Sequence, residues 1–257
     1  MQMKFVAKTA LTKRETMANK LTNRRDILAF WGVAGAVGLL PAVGKSAWSQ
    51  QAPRTSNPTS LESHPASPEE ALERLKVGNT RFVNGQPKHS HESLGFRKQL
   101  TSEQHPFATI LGCSDSRVPI ELIFDQGFGD LFVIRVAGNV VTDDVVGSIE
   151  YAGIHLKTPL VVILGHEGCG AVTAALQARK HNSSEPQGIQ NLVKLIEPAT
   201  RSIDPNLPMP EQVHNAVESN VRLAQEKLTK LPDVQRSSPL MVGAVYELET
   251  GEVRWLT

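Results

Sequence analysis

Short apolar runs alternate with longer amphipathic stretches from about residue 107 onward. Residues 107–112 (Phe-Ala-Thr-Ile-Leu-Gly), Leu131–Val136 and Leu160–Leu164 are dominated by aliphatic and β-branched residues, the pattern of strands buried on both faces. Helices are predicted between them: one starting near Pro119, one from Asp143 to about Leu156, and one from Cys169 to about Arg179. Residues 187–198 and 209–230 read as two more. Upstream, Ser67-Pro68-Glu69-Glu70 has the form of a helix start, with an N-cap serine, a first-turn proline and a glutamate three residues on. Ala71, Leu72, Leu75 and Phe82 give that helix an apolar side, and Gly85 a stop. Near the other end, Leu240–Leu248 and Val253–Trp255 flank Glu249-Thr250-Gly251 as a hairpin. Strands alternating with helices predict one α/β domain over residues 67–257: a central, mainly parallel sheet flanked by helices, with an N-terminal helical arm and a C-terminal β-hairpin.

The first 49 residues follow a different pattern. They carry eight Lys/Arg and two acids, a net charge of +6, within a chain whose total is +1. The remainder is therefore mildly acidic, which argues against a nucleic-acid partner. A basic stretch, an apolar and glycine-rich run from Ile27 to Val43, and a small-residue exit at Ala47-Trp48-Ser49 describe an export signal. Arg24-Arg25, followed by Asp26-Ile27-Leu28, resembles the twin-arginine signal, although Asn23 stands where Ser or Thr is usual and Ile27 where Phe is common. The expectation is recognition by export machinery, cleavage near Ser49, and a location in the periplasm or a thylakoid lumen. An uncleaved membrane anchor is the alternative, for which 17 apolar residues are short. Residues 50–66, rich in Ser, Pro, Gln and Thr, read as a flexible linker.

Candidate chemistry sits just past the strands. There are two cysteines, too few for a disulfide framework. Cys113 follows the 107–112 strand in Gly112-Cys113-Ser114-Asp115-Ser116-Arg117-Val118-Pro119, and Cys169 follows the 160–164 strand in Gly165-His166-Glu167-Gly168-Cys169-Gly170. If those strands are neighbours, Cys113, His166 and Cys169 converge beyond their carboxyl ends, where open parallel sheets bind ligands. Two thiolates and an imidazole suit Zn²⁺, and three protein ligands mark a catalytic rather than a closed structural site. Spacing alone leaves open that the cysteines are inert core residues. Asp115 and Arg117 favour the metal, since an Asp at such a turn can be a fourth ligand or a partner of the ligands, held by a bidentate arginine.

The Gly-Cys-Ser-Asp-Ser-Arg-Val-Pro segment, then Ile134-Arg135-Val136-Ala137-Gly138-Asn139, Ser148-Ile149-Glu150-Tyr151-Ala152 and Gly-His-x-x-Cys-Gly, closely resemble the β-class carbonic anhydrases across about residues 68–257. The resemblance implies Zn²⁺ held by Cys113, His166 and Cys169, an Asp115–Arg117 dyad, and reversible hydration of CO₂ to bicarbonate and a proton by a zinc-bound hydroxide that Asp115 aims. Asp115 bound directly to zinc would close the site. A homodimer or larger homo-oligomer with active sites near the subunit boundary is also implied. Gln126, in Phe124-Asp125-Gln126-Gly127, resembles a substrate-side glutamine of the plant-like members, which the partner chain often supplies.

Members that hold an inhibitory bicarbonate tend to carry Trp where this chain has Ile110, although Arg135 and Tyr246 resemble the rest of that pocket. An unregulated, plant-like form is expected, with Arg135 in a structural ion pair and Tyr246 half-buried in the hairpin. His64, His89 and His91 lie in polar stretches and read as solvated, His155 and His181 lie near helix ends, and Glu167 reads as a loop carboxylate. Three other functions compete. Carbonyl sulfide or carbon disulfide hydrolysis would use the same ligands, a non-catalytic module would keep closed zinc, and a Cys–His thiol hydrolase would work without metal.

Overall fold

Continuous apolar runs become strands here because helices cover both faces of the sheet. The computed structural model describes residues 64–179, 185–237 and 239–256. The expected export signal, most of the expected linker and His181 lie outside the described residues. The order is α1 (Pro68–Val83), α2 (Leu94–Gln99), β1 (Ala108–Gly112), α3 (Ile120–Ile123), β2 (Leu131–Arg135), a 3₁₀ turn (Ala137–Asn139), α4 (Asp143–Ile154), β3 (Leu160–His166), α5 (Gly170–Ala178), α6 (Gln187–Thr200), α7 (Met209–Thr229), α8 (Pro232–Ser237), β4 (Leu240–Tyr246) and β5 (Val253–Leu256). The strands form one sheet in the order β2-β1-β3-β4-β5, parallel except for the antiparallel β4–β5 hairpin.

Side chains alternate across the sheet, as strand geometry requires. Leu111, Val161, Ile163 and Val245 pack against Val145 and Ile149 of α4, Val172 and Leu176 of α5, Ile196 of α6, and Val217 and Val221 of α7. Ile110, Val162, Leu164 and Ala244 face the other way, onto Ala71 and Leu75 of α1 and Ile120 and Ile123 of α3. Ser67 caps α1 by accepting the Glu70 amide, and the Glu70 carboxylate reaches back to the Ala66 amide. Buried Asn79 then fastens α1 to the rest, donating to the Ile123 and Gly251 carbonyls and accepting the Val253 amide.

Two features place the site. The chain leaves β1 toward the α3 face and leaves β3 toward α5 on the opposite face, although β1 and β3 are adjacent. Their outgoing loops therefore part at a topological switch point. In addition, β3 runs two residues beyond the expected Leu164, so His166 is its last residue, in register with Tyr246. Among the described residues, no helix is long and apolar enough to cross a membrane.

Candidate metal centre

Each donor is fixed by a different local cause. His166 is held by the sheet and has no exposed surface. Its Nδ1 lies 2.9 Å from the Glu167 carbonyl. A carbonyl only accepts, so Nδ1 carries the hydrogen and Nε2 keeps its lone pair. Cys169 is the residue before α5, where helix amide groups converge and favour a thiolate. Cys113 emerges from β1 with its sulfur 3.3 Å from the Gly138 amide, which donates to it. The Sγ atoms of Cys113 and Cys169 and a ring nitrogen of His166 lie within 4.8 Å of one another, all in buried residues.

The charge state of the trio fits a metal. Hydrogen bonding with Cys169 lowers the Cys113 thiol, against burial and with help from the Gly138 and Asp115 amides. The same contact, together with burial, pushes the Cys169 thiol up. The opposed shifts show that the two sulfurs are electrostatically coupled, and a divalent cation bound between them would favour the thiolate form of both. Buried His166 Nε2 finds no hydrogen-bond partner among the described residues, an expense that proteins seldom leave uncompensated. Two sulfurs, an unpartnered imidazole nitrogen and a fixed tautomer are what Zn²⁺ requires.

Asp115 stands beside this trio and turns to Arg117. Its Oδ1 accepts from Arg117 Nε at 2.9 Å and its Oδ2 from Nη2 at 2.7 Å, the two-pronged geometry of a strong ion pair. The Arg117 amide adds a third bond, at 2.9 Å. Arg117's side-chain hydrogen bonds outweigh burial and hold the carboxyl below its usual range, with the Arg117 amide contributing. Asp115 Oδ2 remains 3.8 Å from His166 Nε2. The carboxylate is therefore an ionised acceptor at the edge of the donor set.

A family model described as carbonic anhydrase matches residues 108–253. Carbonic anhydrase 2 of Mycobacterium tuberculosis (strain H37Rv) is 40% identical over 190 residues, covering 72% of this chain and 91% of its own. Among solved structures, the β-carbonic anhydrase CcaA superposes with a TM-score of 0.58 at 30% identity, over 71% of this chain and 86% of its own. This chain belongs to the β-class carbonic anhydrases. A carbonic anhydrase of Mycolicibacterium smegmatis is 46% identical over 134 residues, which span 52% of this chain but only 65% of that protein. A Coccomyxa β-carbonic anhydrase in complex with acetazolamide aligns with a TM-score of 0.58 at 25% identity, over 74% of this chain and 86% of its own.

Within this β-carbonic anhydrase, three residues support the centre in roles that the sequence did not assign to them. Arg135 closes β2 and donates to two main-chain carbonyls, Cys113 at 3.0 Å and Asp115 at 2.6 Å, in place of the expected ion pair. Gly138 aims its amide at Cys113 from a left-handed conformation (φ 69°). Asn220 of α7, buried, donates to the Gly138 carbonyl at 2.8 Å.

Gln126 does not join its own chain's centre. It lies in the connection that returns from α3 to the amino end of β2, whereas the trio lies at the carboxyl ends of β1 and β3. Both ends of its buried amide are engaged: Oε1 accepts from Arg74 at 2.9 Å and Nε2 donates to the Phe124 carbonyl at 2.8 Å. Within its own chain those bonds join α1 to the α3 turn. His91 also departs from expectation. It stacks on Phe96 and reaches Asp130 at 2.8 Å, because Asp130 offers a carboxylate under the loop. A cavity of about 840 Å³ lies at this amino end of the sheet, lined in part by Arg74, His91, Phe107, Phe128 and Asp130, apart from the donor trio.

Proposed function

We propose that the chain catalyses the reversible hydration of CO₂ to bicarbonate and a proton, with Cys113, His166 and Cys169 holding zinc. What zinc supplies there, when bound, is the acidification of a water molecule near neutral pH. Asp115, ionised and limited to accepting, takes a hydrogen bond from the attacking oxygen and so directs a lone pair toward the carbon of CO₂. Arg117 occupies both carboxylate oxygens from one side and keeps Asp115 from swinging in as a further ligand. Oxygen attack on carbon yields bicarbonate, and the proton passes to buffer. The observation that carries this reading is Asp115 fastened to Arg117 beside three convergent donors, which a closed structural zinc site would not need.

Stopped-flow CO₂ hydration, run with metal analysis on zinc-loaded wild type and Asp115→Asn, tests it. The expected result is about one zinc per chain in both, with kcat/KM lower by about a hundredfold or more in the variant. An unimpaired variant removes Asp115 from the mechanism. An inactive, zinc-loaded wild type removes CO₂ hydration and makes carbonyl sulfide the next substrate to assay.

We further infer a homo-oligomer, at least a dimer, and export directed by residues 1–49. The first is supported by edge strand β2, whose apolar side chains are half-exposed, and by exposed Phe128 and Tyr151 beside it. A β-carbonic anhydrase of Sordaria macrospora that shares the fold at 22% identity is tetrameric. A sedimentation coefficient of a monomer at micromolar concentration would end that inference. Export is supported by the paired arginines and the apolar run behind them.

A further inference from the structure

Arg135 is an unusual use of a guanidinium. It ends β2, in register with Gly112, the residue before Cys113. The Val136 amide makes one more bond across, to the Gly112 carbonyl at 3.1 Å. Beyond that point β1 has left the sheet, and the peptide groups of residues 113–115 need other partners. The Arg135 side chain supplies them, with Nε on the Cys113 carbonyl and Nη2 on the Asp115 carbonyl. The Asp115 carbonyl also accepts the Val118 amide at 3.1 Å. A planar fork holds two carbonyls two residues apart at a fixed spacing; an ammonium on a flexible stem has donors enough but no fixed geometry with which to hold both in place.

The consequence is mechanical. Cys113 and Asp115 are separated only by Ser114, and each carries a different part of the chemistry. Arg117 fixes the Asp115 carboxylate, but nothing in that ion pair fixes the carboxylate relative to the Cys113 sulfur. The Arg135 fork does so by immobilising the two backbone groups from which those side chains spring. We propose that Arg135 is a positioning residue of the reaction, which sets the angle between the Cys113 ligand and the Asp115 carboxylate by clamping their carbonyls, rather than an anion-binding group. The inference rests on the assignment of Cys113, His166 and Cys169 as metal ligands.

The test compares wild type, Arg135→Lys and Arg135→Gln, each loaded with cobalt for spectroscopy and with zinc for kinetics and for metal release to a chelator. Cobalt bands in the wild type are the control for the ligand assignment; without them that assignment fails, and this inference with it. Both variants are expected to bind one metal per chain, to show shifted cobalt bands and to release zinc faster. Their kcat falls about tenfold to a hundredfold with KM little changed, the size expected for a small misplacement. Lysine fails to rescue because charge without the fork cannot hold both carbonyls. Should Arg135→Gln not fold, Arg135→Lys alone carries the comparison. Wild-type spectrum, release and kcat in Arg135→Lys would overturn the clamp in favour of simple charge. An unchanged spectrum with only a raised KM for bicarbonate would overturn it in favour of anion binding.

Discussion

Gly138 does two things that no other residue could do in its place. Its left-handed backbone turns the amide onto the Cys113 sulfur, and its missing side chain admits neighbours. A Cβ there would come within 2.7 Å of Ile196 Cδ1 and 3.1 Å of Ala171 Cβ. Gly138→Ala is therefore expected to lose about 1–3 kcal/mol of stability, from backbone strain and overpacking together. Zinc release to a chelator should also accelerate, since relief of the strain and overpacking would turn the residue-138 amide away from the sulfur. Urea unfolding and release kinetics check both, and a variant with wild-type zinc retention would show that the amide does not matter to the ligand. Cys113, Asp115, Arg117, His166 and Cys169 were legible in the sequence because their chemistry is compressed into two short segments that each follow an apolar run. Asn220 was not, and although Arg135 and Gly138 lie in a motif that the sequence did show, their roles were not legible, because these residues reach the centre through strand register and through the packing of α7, which no local spacing encodes. Gln126 lies at the opposite end of the parallel strand pair from its own chain's centre, so the substrate-side role that its resemblance implies would have to be exercised across a subunit boundary.

Among the elements, the strands and long helices were readable wherever burial on two faces or a stable apolar stripe left a run of several residues. The six-residue helices α2 and α8 escaped notice, being too short to show a period, and only Ser93 at the α2 cap marks a start. The arm formed by α1 depends on ionic contacts that the hydrophobic pattern does not show. Asp125, in the turn after α3, accepts the Lys88 amide at 3.0 Å and pairs with Arg81 of α1. Burial raises its pKa, but the Lys88 amide, Arg81 and the His89 amide more than compensate, so it ends below the usual carboxylate value. A folded-state pKa below the unfolded one means that the unfolded chain takes up the proton first on acidification. The stabilisation is complete above about pH 4, the unfolded range, and disappears as pH falls through the lower folded value. Wild type should therefore lose Tm more steeply than Asp125→Asn as pH is lowered below about 4, while the variant is less stable at neutral pH. Parallel Tm-against-pH curves for the two proteins would contradict this account of the α1 arm.

At the scale of the whole molecule, the use of both cysteines as candidate ligands bears on the export proposed for residues 1–49, since it would constrain how the protein could reach an oxidising compartment. The chain has two cysteines, and both belong to the donor trio. An unfolded chain delivered into such a compartment would present two free thiols and no metal. Any intramolecular disulfide it formed would join Cys113 to Cys169 and remove two of three donors at once. A chain folded and loaded with zinc beforehand arrives with both sulfurs buried and coordinated. Export in the folded state is what a twin-arginine signal would provide, so under the export proposed for residues 1–49 Arg24-Arg25 and the thiolate centre would answer one requirement. Replacing both arginines with lysine keeps the net +6 charge of residues 1–49 and removes only the motif. The expected outcome is that Arg24→Lys/Arg25→Lys remains inside the cell, folded and carrying about one zinc per chain. The wild type should reach the exported fraction with zinc and without a disulfide. Fractionation, metal analysis and disulfide mapping decide the matter: export of the double variant, or a Cys113–Cys169 disulfide in the exported wild type, would break the link between the signal and the metal centre.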